Sequence, residues 1–519
     1  MYRNRDDLQE LVKMLSKGEK RYFVNFFKGY DPSQPTPLFL QLYALMEKGE
    51  SELPKVFSAD SPQALTTTKR RLYRHILKSL RSLHDDTSID MVIQNQLSEI
   101  EILYRLGLPE QGMFLLNKTY QLARTHEKFG LVLQILEWEK RLNIVMDTPS
   151  RPTAEIVAEE KAVLGMYGQV MELESLFSHA KELKKQYGFV MGTMREKLET
   201  ETIHAPGMPT AKACLSDKAT YYYNFIHALY YWMVFDHRKA YDYSRQLLTS
   251  KVKVVLPSDY IDGIFEHITS SVCVASFDDA LAGINLGAAY VEEQKLNQSH
   301  AFMLRMFAYQ GTYQMIIYNY MGDREKLLET ISDTEGKLKL YESVLPFETK
   351  QVITGNLMNA YMGIGDLAKA DVIWEGMFNR HSQTVRRDIY ADLHLFRLFS
   401  LLQSKTYELL PSTAGAALRY FRRFDDAKTV FEVELPIALI LSKERDYHKP
   451  ALLGELMEQI SAIVSRFIAG VKGVNGFQEH YSRYLIWSEA ILKEEAYHLT
   501  AARWYKKFKK HMASVKGKA

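Results

Sequence analysis

Near the start of the chain, Leu8, Leu11, Val12 and Leu15 recur at helical spacing. Tyr22, Phe23, Phe26 and Phe27 then continue an apolar face beyond Ser16. Apolar positions three and four apart predict amphipathic helices. Ser16-Lys-Gly-Glu19 has the Ser-x-x-Glu form in which each side chain bonds the other residue's backbone N–H, so a second helix is expected to start there. Asp31-Pro-Ser-Gln-Pro-Thr-Pro37 breaks the chain, because proline lacks the N–H a helix interior needs. The pattern predicts a third helix over Pro37 to Lys48 and a short fourth over Leu53 to Phe57. A long helix opens at Ser61 or Thr66 and runs to Leu83, with Leu72, Ile76, Leu80 and Leu83 on one side. Asp85-Asp86-Thr-Ser is the first expected domain boundary.

From residue 88 the pattern becomes helix, tight turn, helix. Turns are predicted at Leu106-Gly107, Asp147–Pro149, Tyr187-Gly188, Phe235-Asp236, Ser276-Phe277, Gly322-Asp323, Gly365-Asp366, Ser404-Lys405 and Lys443-Glu444. Most gaps are about 40 residues, the spacing of helix-pair repeats. Pro149 to Pro152 and Ala205 to Pro209 read as longer loops. No sustained apolar/polar alternation bounded by hairpin-turn residues occurs, so strands are not expected. The prediction is an all-α chain. It comprises a helical unit over 1–86 with a helix-turn-helix-like arrangement, a repeat array over 87–500 and a basic tail over 501–519.

The clearest repeat is Asn359-Ala-Tyr361-Met-Gly-Ile-Gly365-Asp366-Leu-Ala-Lys-Ala370-Asp-Val-Ile-Trp374. It resembles the middle of a tetratricopeptide unit. The resemblance implies Tyr361 near the end of a first helix, Gly365-Asp366 at the turn, Ala370 at the helix crossing and Trp374 between repeats. Gly permits the left-handed backbone that ends a helix, a small residue lets two helices approach, and large apolar residues fill the space between units. The spacing recurs with Tyr318, Gly322-Asp323, Leu327 and Ile331, and with Leu103, Gly107, Gly112 and Leu116. A looser copy surrounds Tyr231, Asp236 and Ala240. The family's Trp and Leu-Gly in the first helix and its Pro between repeats are mostly missing, and the repeats are longer than its standard unit. The fold implied is an α-solenoid of stacked antiparallel helix pairs. Leu15-Ser-Lys-Gly-Glu-Lys-Arg-Tyr-Phe23 also resembles uncharacterised helical proteins of the Bacteroidetes, which implies no activity.

Composition agrees with this. The 519 residues exceed one compact core, 46% are apolar and 25% charged, and Gly (27) and Pro (15) are scarce. Two cysteines, Cys214 and Cys273, are too few for a disulfide framework and are expected to be buried thiols. The first residues run into an amphipathic segment, unlike a signal peptide. The most apolar stretch, Tyr221 to Phe235, is interrupted by Asn224 and His227 and is too short to span a bilayer. A cytoplasmic protein without a membrane partner is expected. The net charge of +3 hides an asymmetry. Residues 1–84 hold 15 Lys/Arg against 9 Asp/Glu, residues 501–519 hold 7 against none, and residues 85–500 hold 44 against 54.

No catalytic set is legible. Gly363-Ile-Gly365-Asp-Leu-Ala368 matches a dinucleotide fingerprint by letter but has no preceding strand and falls in the repeat turn. No phosphate loop, no His-Glu-x-x-His pair and no Gly-x-Ser-x-Gly elbow occurs, and the 15 histidines lack metal-ligand spacing. His227 reads as a packed core residue. Ser250-Lys-Val-Lys253 reads as charged surface. The expectation is a non-enzymatic protein with no cofactor and no metal.

Its function is then expected to be binding. The leading expectation is an interaction scaffold that holds a peptide or protein segment on the inner surface of the array, through Tyr222, Trp232, Tyr309, Asn319, Tyr320 and Asn359. The Lys/Asn pattern with which some tetratricopeptide proteins clamp a carboxylate is absent at matching positions. The aromatic cluster Tyr221-Tyr-Tyr-Asn-Phe and Tyr230-Tyr-Trp suits packing between repeats or a patch on that surface. The alternative is a regulator whose N-terminal helices bind nucleic acid through Arg70, Arg74, Lys78 and Arg81, opposite the Leu72/Ile76/Leu80 face, with Lys69, Arg71 and His75 beside them. The run Arg503-Trp-Tyr-Lys-Lys-Phe-Lys-Lys-His511 suits either nucleic-acid binding or capping of the last repeat.

Overall fold

The computed structural model describes residues 7–28, 36–47, 62–83, 88–190, 193–250, 252–378, 387–424, 427–471 and 477–516. Among them every extended element is a helix. The chain divides into two compact units, Met1–Leu164 and Gly165–Ala519.

The first unit holds α1 (Asp7–Met14), α2 (Lys17–Lys28), α3 (Leu38–Glu47), α4 (Pro62–Leu83), α5 (Ile89–Arg105), α6 (Pro109–Thr125), α7 (Phe129–Val145) and the start of α8 (Thr153–Tyr187). The Ser16/Glu19 capping box forms as expected. Ser16 N–H donates to the Glu19 carboxylate at 2.8 Å, and Glu19 N–H donates to the Ser16 hydroxyl at 3.2 Å. Leu8, Val12, Phe23, Phe27, Phe39, Leu42, Tyr43, Leu72 and Ile76 make one core among α1–α4. The expected helix at Leu53 to Phe57 and the expected boundary at Asp85-Asp86 lie outside the described residues.

The second unit continues with the rest of α8, then α9 (Thr193–Glu201), α10 (Asp217–Met233), α11 (His237–Leu248), α12 (Pro257–Cys273), α13 (Phe277–Glu293) and α14 (His300–Met321). It proceeds through α15 (Arg324–Leu340), α16 (Phe347–Ile364), α17 (Leu367–Phe378), α18 (Arg387–Gln403) and α19 (Leu410–Phe421). It ends with α20 (Ala427–Val430), α21 (Glu434–Leu441), α22 (Pro450–Gly470), α23 (Glu479–Leu492) and α24 (Tyr497–Lys516). Consecutive helices pack as pairs: α10 on α11, α12 on α13, α14 on α15, α16 on α17 and α18 on α19. In addition, α10 touches α12, α12 touches α14, α14 touches α16 and α16 touches α18. The basic run expected as a tail is helical to Lys516. It belongs to α24, which packs with α23 and lies on α14 and α16.

The turns within pairs share one construction. Phe235, Ala275, Gly322, Gly365 and Lys405 all have left-handed backbone, at intervals of 40, 47, 43 and 40 residues. The next N–H reaches back five residues to close the first helix. Asp236 bonds Tyr231 O at 2.9 Å, Ser276 bonds Ser271 O at 2.8 Å and Asp366 bonds Tyr361 O at 2.9 Å. Asp236, Asp323 and Asp366 then cap the second helix by accepting from the backbone three residues on. Side chains disfavour this backbone, so it carries a cost at Phe235, Ala275 and Lys405 that the glycine turns avoid; the Phe235 and Ala275 side chains are buried.

The residues of the clearest repeat take helix-packing positions. Tyr361 and Ala370 are buried, and Trp374 is half-buried with the Arg397 guanidinium of α18 lying 5.2 Å from its ring centroid. Cys273 is a buried free thiol as expected. Cys214 corrects its expectation: it is only half-buried, in the segment between a short 3-10 turn and α10. His227 is packed in the core, its ring stacked on Tyr243. No helix among the described residues is long and apolar enough to cross a membrane.

Candidate functional site

α12 carries Asp259, Asp262 and Glu266 at i, i+3 and i+7, which places three carboxylates in one row. Helices on either side supply their partners. From α8, Lys181 donates to Asp262 at 2.7 Å and Lys184 donates to Glu266 at 2.6 Å. From α14, Arg305 pairs with Asp262. From α10, the Tyr222 hydroxyl donates to Asp259 at 2.6 Å. Burial, reinforced by the Asp259 charge, holds the Tyr222 phenol well above its ordinary pKa, so it remains a donor.

Aromatic rings line the same face. Phe265 and Tyr309 stack with centroids 3.6 Å apart, and Lys184 lies 4.2 Å from the Trp232 centroid. The Tyr313 hydroxyl bonds Thr269 at 2.6 Å. One Glu266 oxygen is buried without a hydrogen-bond partner among the described residues. The result is a surface of alternating ion pairs and rings spread over α8, α10, α12 and α14.

Of the six residues expected to bind a partner, Tyr222, Trp232 and Tyr309 share this face. Trp232 and Tyr309 are half-buried and Tyr222 is buried. Asn319, Tyr320 and Asn359 are brought together elsewhere, at the C-terminal ends of α14 and α16, and all three are buried. Asn319 donates to the Asn359 carbonyl at 3.3 Å, and the Tyr320 hydroxyl donates to the Glu479 carbonyl. Tyr221 and Tyr222 turn toward α12 while Tyr223 meets Tyr243 of α11, so the tyrosine run divides between two neighbours. Sequence reasoning missed Lys181, Lys184, Asp262, Glu266 and Arg305. The acidic row on α12 was visible as helical spacing, but its partners lie tens of residues away.

In the first unit Arg70, Arg74, Lys78 and Arg81 are all exposed along α4. His75 packs against Phe39 at 4.4 Å; burial, then the charges of Arg71 and Lys78, lower its pKa. The aromatics of the C-terminal basic run turn inward, with Trp504 stacked on Phe508 and Tyr505 against Phe277. Arg503 is held by Glu489 and Glu495.

A third cluster joins α18, α21 and α23. His480 and Tyr484 approach Asp392 at 3.4 and 2.9 Å, and the Tyr481 hydroxyl donates to Glu434 at 3.2 Å. His480, Tyr481 and Tyr484 share α23, but nothing in the sequence links them to Asp392 or Glu434, since Asp392 and Tyr484 are 92 positions apart. A cavity of about 330 Å³ elsewhere in this unit is lined by Leu402, Lys405, Leu453, Trp487, Ile491 and Glu494, with the Lys405–Glu494 pair on its wall. Among the described residues no three His, Cys, Asp or Glu side chains are grouped to hold a metal ion.

No protein-family model, no curated protein and no solved structure matches the chain.

Proposed function

We propose that the second unit is an α-solenoid of the tetratricopeptide kind, and that the chain is a non-enzymatic cytoplasmic scaffold whose inner surface holds a segment of a protein partner. The observation that carries this reading is the repeated left-handed turn at Phe235, Ala275, Gly322, Gly365 and Lys405. Identical turns at near-constant intervals set successive helix pairs at similar angles, so the first helices line one continuous surface. The packing of α10, α12, α14, α16 and α18 against one another supports that arrangement. The partner's contacts fall on the accessible side chains of the face: Lys181 and, one turn further along α8, Lys185, which pairs with Glu348 of α16 at 3.6 Å, together with Arg305, Trp232 and Tyr309. Rings beside ion pairs suit a segment carrying apolar side chains and polar groups that can share those pairs.

The test is affinity capture from the native cell with the full chain as bait, beside the variant Lys181→Glu/Lys185→Glu. Both lysines are exposed, and the pairs they lose, with Asp262 and Glu348, are surface pairs worth about 0–1 kcal/mol each, so the thermal midpoint should fall by a few degrees at most. A partner captured by the wild type and lost from the variant is the expected result. Equal capture by both, or loss accompanied by unfolding, removes the face from consideration.

A further inference from the structure

Independently of the scaffold reading, we propose that α4 docks on the phosphate backbone of duplex DNA through Arg70, Arg74, Lys78 and Arg81. The helix runs 22 residues without a single Asp or Glu and carries six Lys or Arg. The four side chains recur at i, i+4, i+8 and i+11, so they occupy one stripe about 16 Å long. That stripe cannot rotate away. Leu72, Ile76 and Ser79 on the opposite side are fully buried, the first two in the α1–α4 core.

Charge compensation is sparser on this helix than on its neighbours. On α5–α8 several cations have carboxylate partners: Lys128 with Asp90 at 2.7 Å, Lys140 with Glu160 at 2.6 Å, and Arg151 with Glu139 and Glu159 at 2.8 Å. Arg70, Arg74, Lys78 and Arg81 have no ion-pair partner among the described residues. Like charges four apart repel one another along a helix, so the stripe calls for an anion from outside.

The chemistry narrows that anion. A lipid surface takes an amphipathic helix by its apolar face, and the apolar face of α4 is already committed to the protein core. A row of cations with no ion-paired carboxylate among the described residues suits a polyanion of closely spaced charges, and a helix fits the B-form major groove. The A-form groove is too deep and narrow for one. Contacts made by charge alone hold phosphates and read little sequence.

The experiment uses the full chain, a mixed-sequence DNA duplex two helical turns long, and fluorescence anisotropy between about 50 and 200 mM salt. Four neutralised phosphates predict that log K falls against log salt with a slope of about −3.6. Arg70→Glu/Arg74→Glu/Lys78→Glu should weaken binding by on the order of 100-fold, with circular dichroism and the thermal midpoint unchanged. Arg105→Glu/Lys118→Glu/Arg141→Glu reverses as many charges on α5–α7 and should retain binding. The proposal is overturned by no binding at the lowest salt, by equal loss in the two triple variants, or by tighter binding to an RNA duplex or to phosphatidylserine vesicles.

Discussion

Tyr481 donates its hydroxyl proton to Glu434 across 3.2 Å of buried core, and the second oxygen of that carboxyl has no hydrogen-bond partner among the described residues. Burial pushes the Glu434 pKa from its ordinary value up to about 7; the nearby His480 opposes the rise and Asp392 adds to it. The folded pKa therefore lies above the unfolded one. The protonated carboxyl contributes its full stability below about pH 4.5, and that contribution is lost as pH rises through 7. Glu434→Gln keeps the site neutral at every pH. Its thermal midpoint should match the wild type near pH 5 and exceed it at pH 8, by the equivalent of roughly 3 kcal/mol for a shift of this size. Parallel stability profiles for the two proteins from pH 5 to 8 would show that Glu434 does not titrate in this range.

Gly322 and Gly365 adopt the same left-handed backbone but have different neighbours. A Cβ at Gly322 would run into the α24 backbone at His498 and Ala502, while one at Gly365 would meet open space. Gly365→Ala should cost about 1 kcal/mol for the backbone alone. Gly322→Ala should cost that and a further 1–3 kcal/mol of overpacking. Hydrogen exchange would locate the difference: α24 amides should lose protection in Gly322→Ala and keep it in Gly365→Ala. Equal protection in both would mean that α24 does not rest on this turn.

Ala370 is fully buried and Trp374 half-buried, one helical turn apart on α17. Ala370→Trp should destabilise by about 1–3 kcal/mol through overpacking. Trp374→Ala should cost a similar amount, less than the 3–5 kcal/mol typical of a fully buried Trp, because half its surface already meets water. Denaturant unfolding measures both. Midpoints unmoved in the two variants would refute the close packing of α17 against α18.

Legibility followed the range of the interactions involved. The capping box at Ser16 and the turns at Gly322-Asp323 and Gly365-Asp366 were readable because a few adjacent residues determine them. Phe235 and Ala275 hold the same left-handed turn without the glycine that announces it. Phe235 is packed by Phe189, distant in sequence, with ring centroids 4.3 Å apart. The stripe on α4 was readable from periodicity alone, since the burial of Leu72 and Ile76 dictates where Arg70, Arg74 and Lys78 must point. The candidate partner-binding residues were harder. Asn319 and Asn359 carry helical spacing like Trp232, but only the tertiary contact between α14 and α16 turns them toward each other. The Asp392, Glu434 and His480 cluster had no local signal at all.

The return of α23 and α24 to earlier helices has a consequence for the order in which the molecule is completed. Gln478 meets His237 at 3.4 Å across 241 positions, and Tyr320 bonds Glu479 across 159. At about 5–20 residues per second on the ribosome, His237 waits on the order of 10–50 s before Gln478 exists. Throughout that interval Phe277 and Tyr320 lack Phe477, Trp504 and Tyr505, the rings that cover them in the finished protein. A nascent chain stalled or cut before residue 477 would therefore display an aromatic edge that the complete one never shows, and it is this edge that folding chaperones and proteases would encounter first.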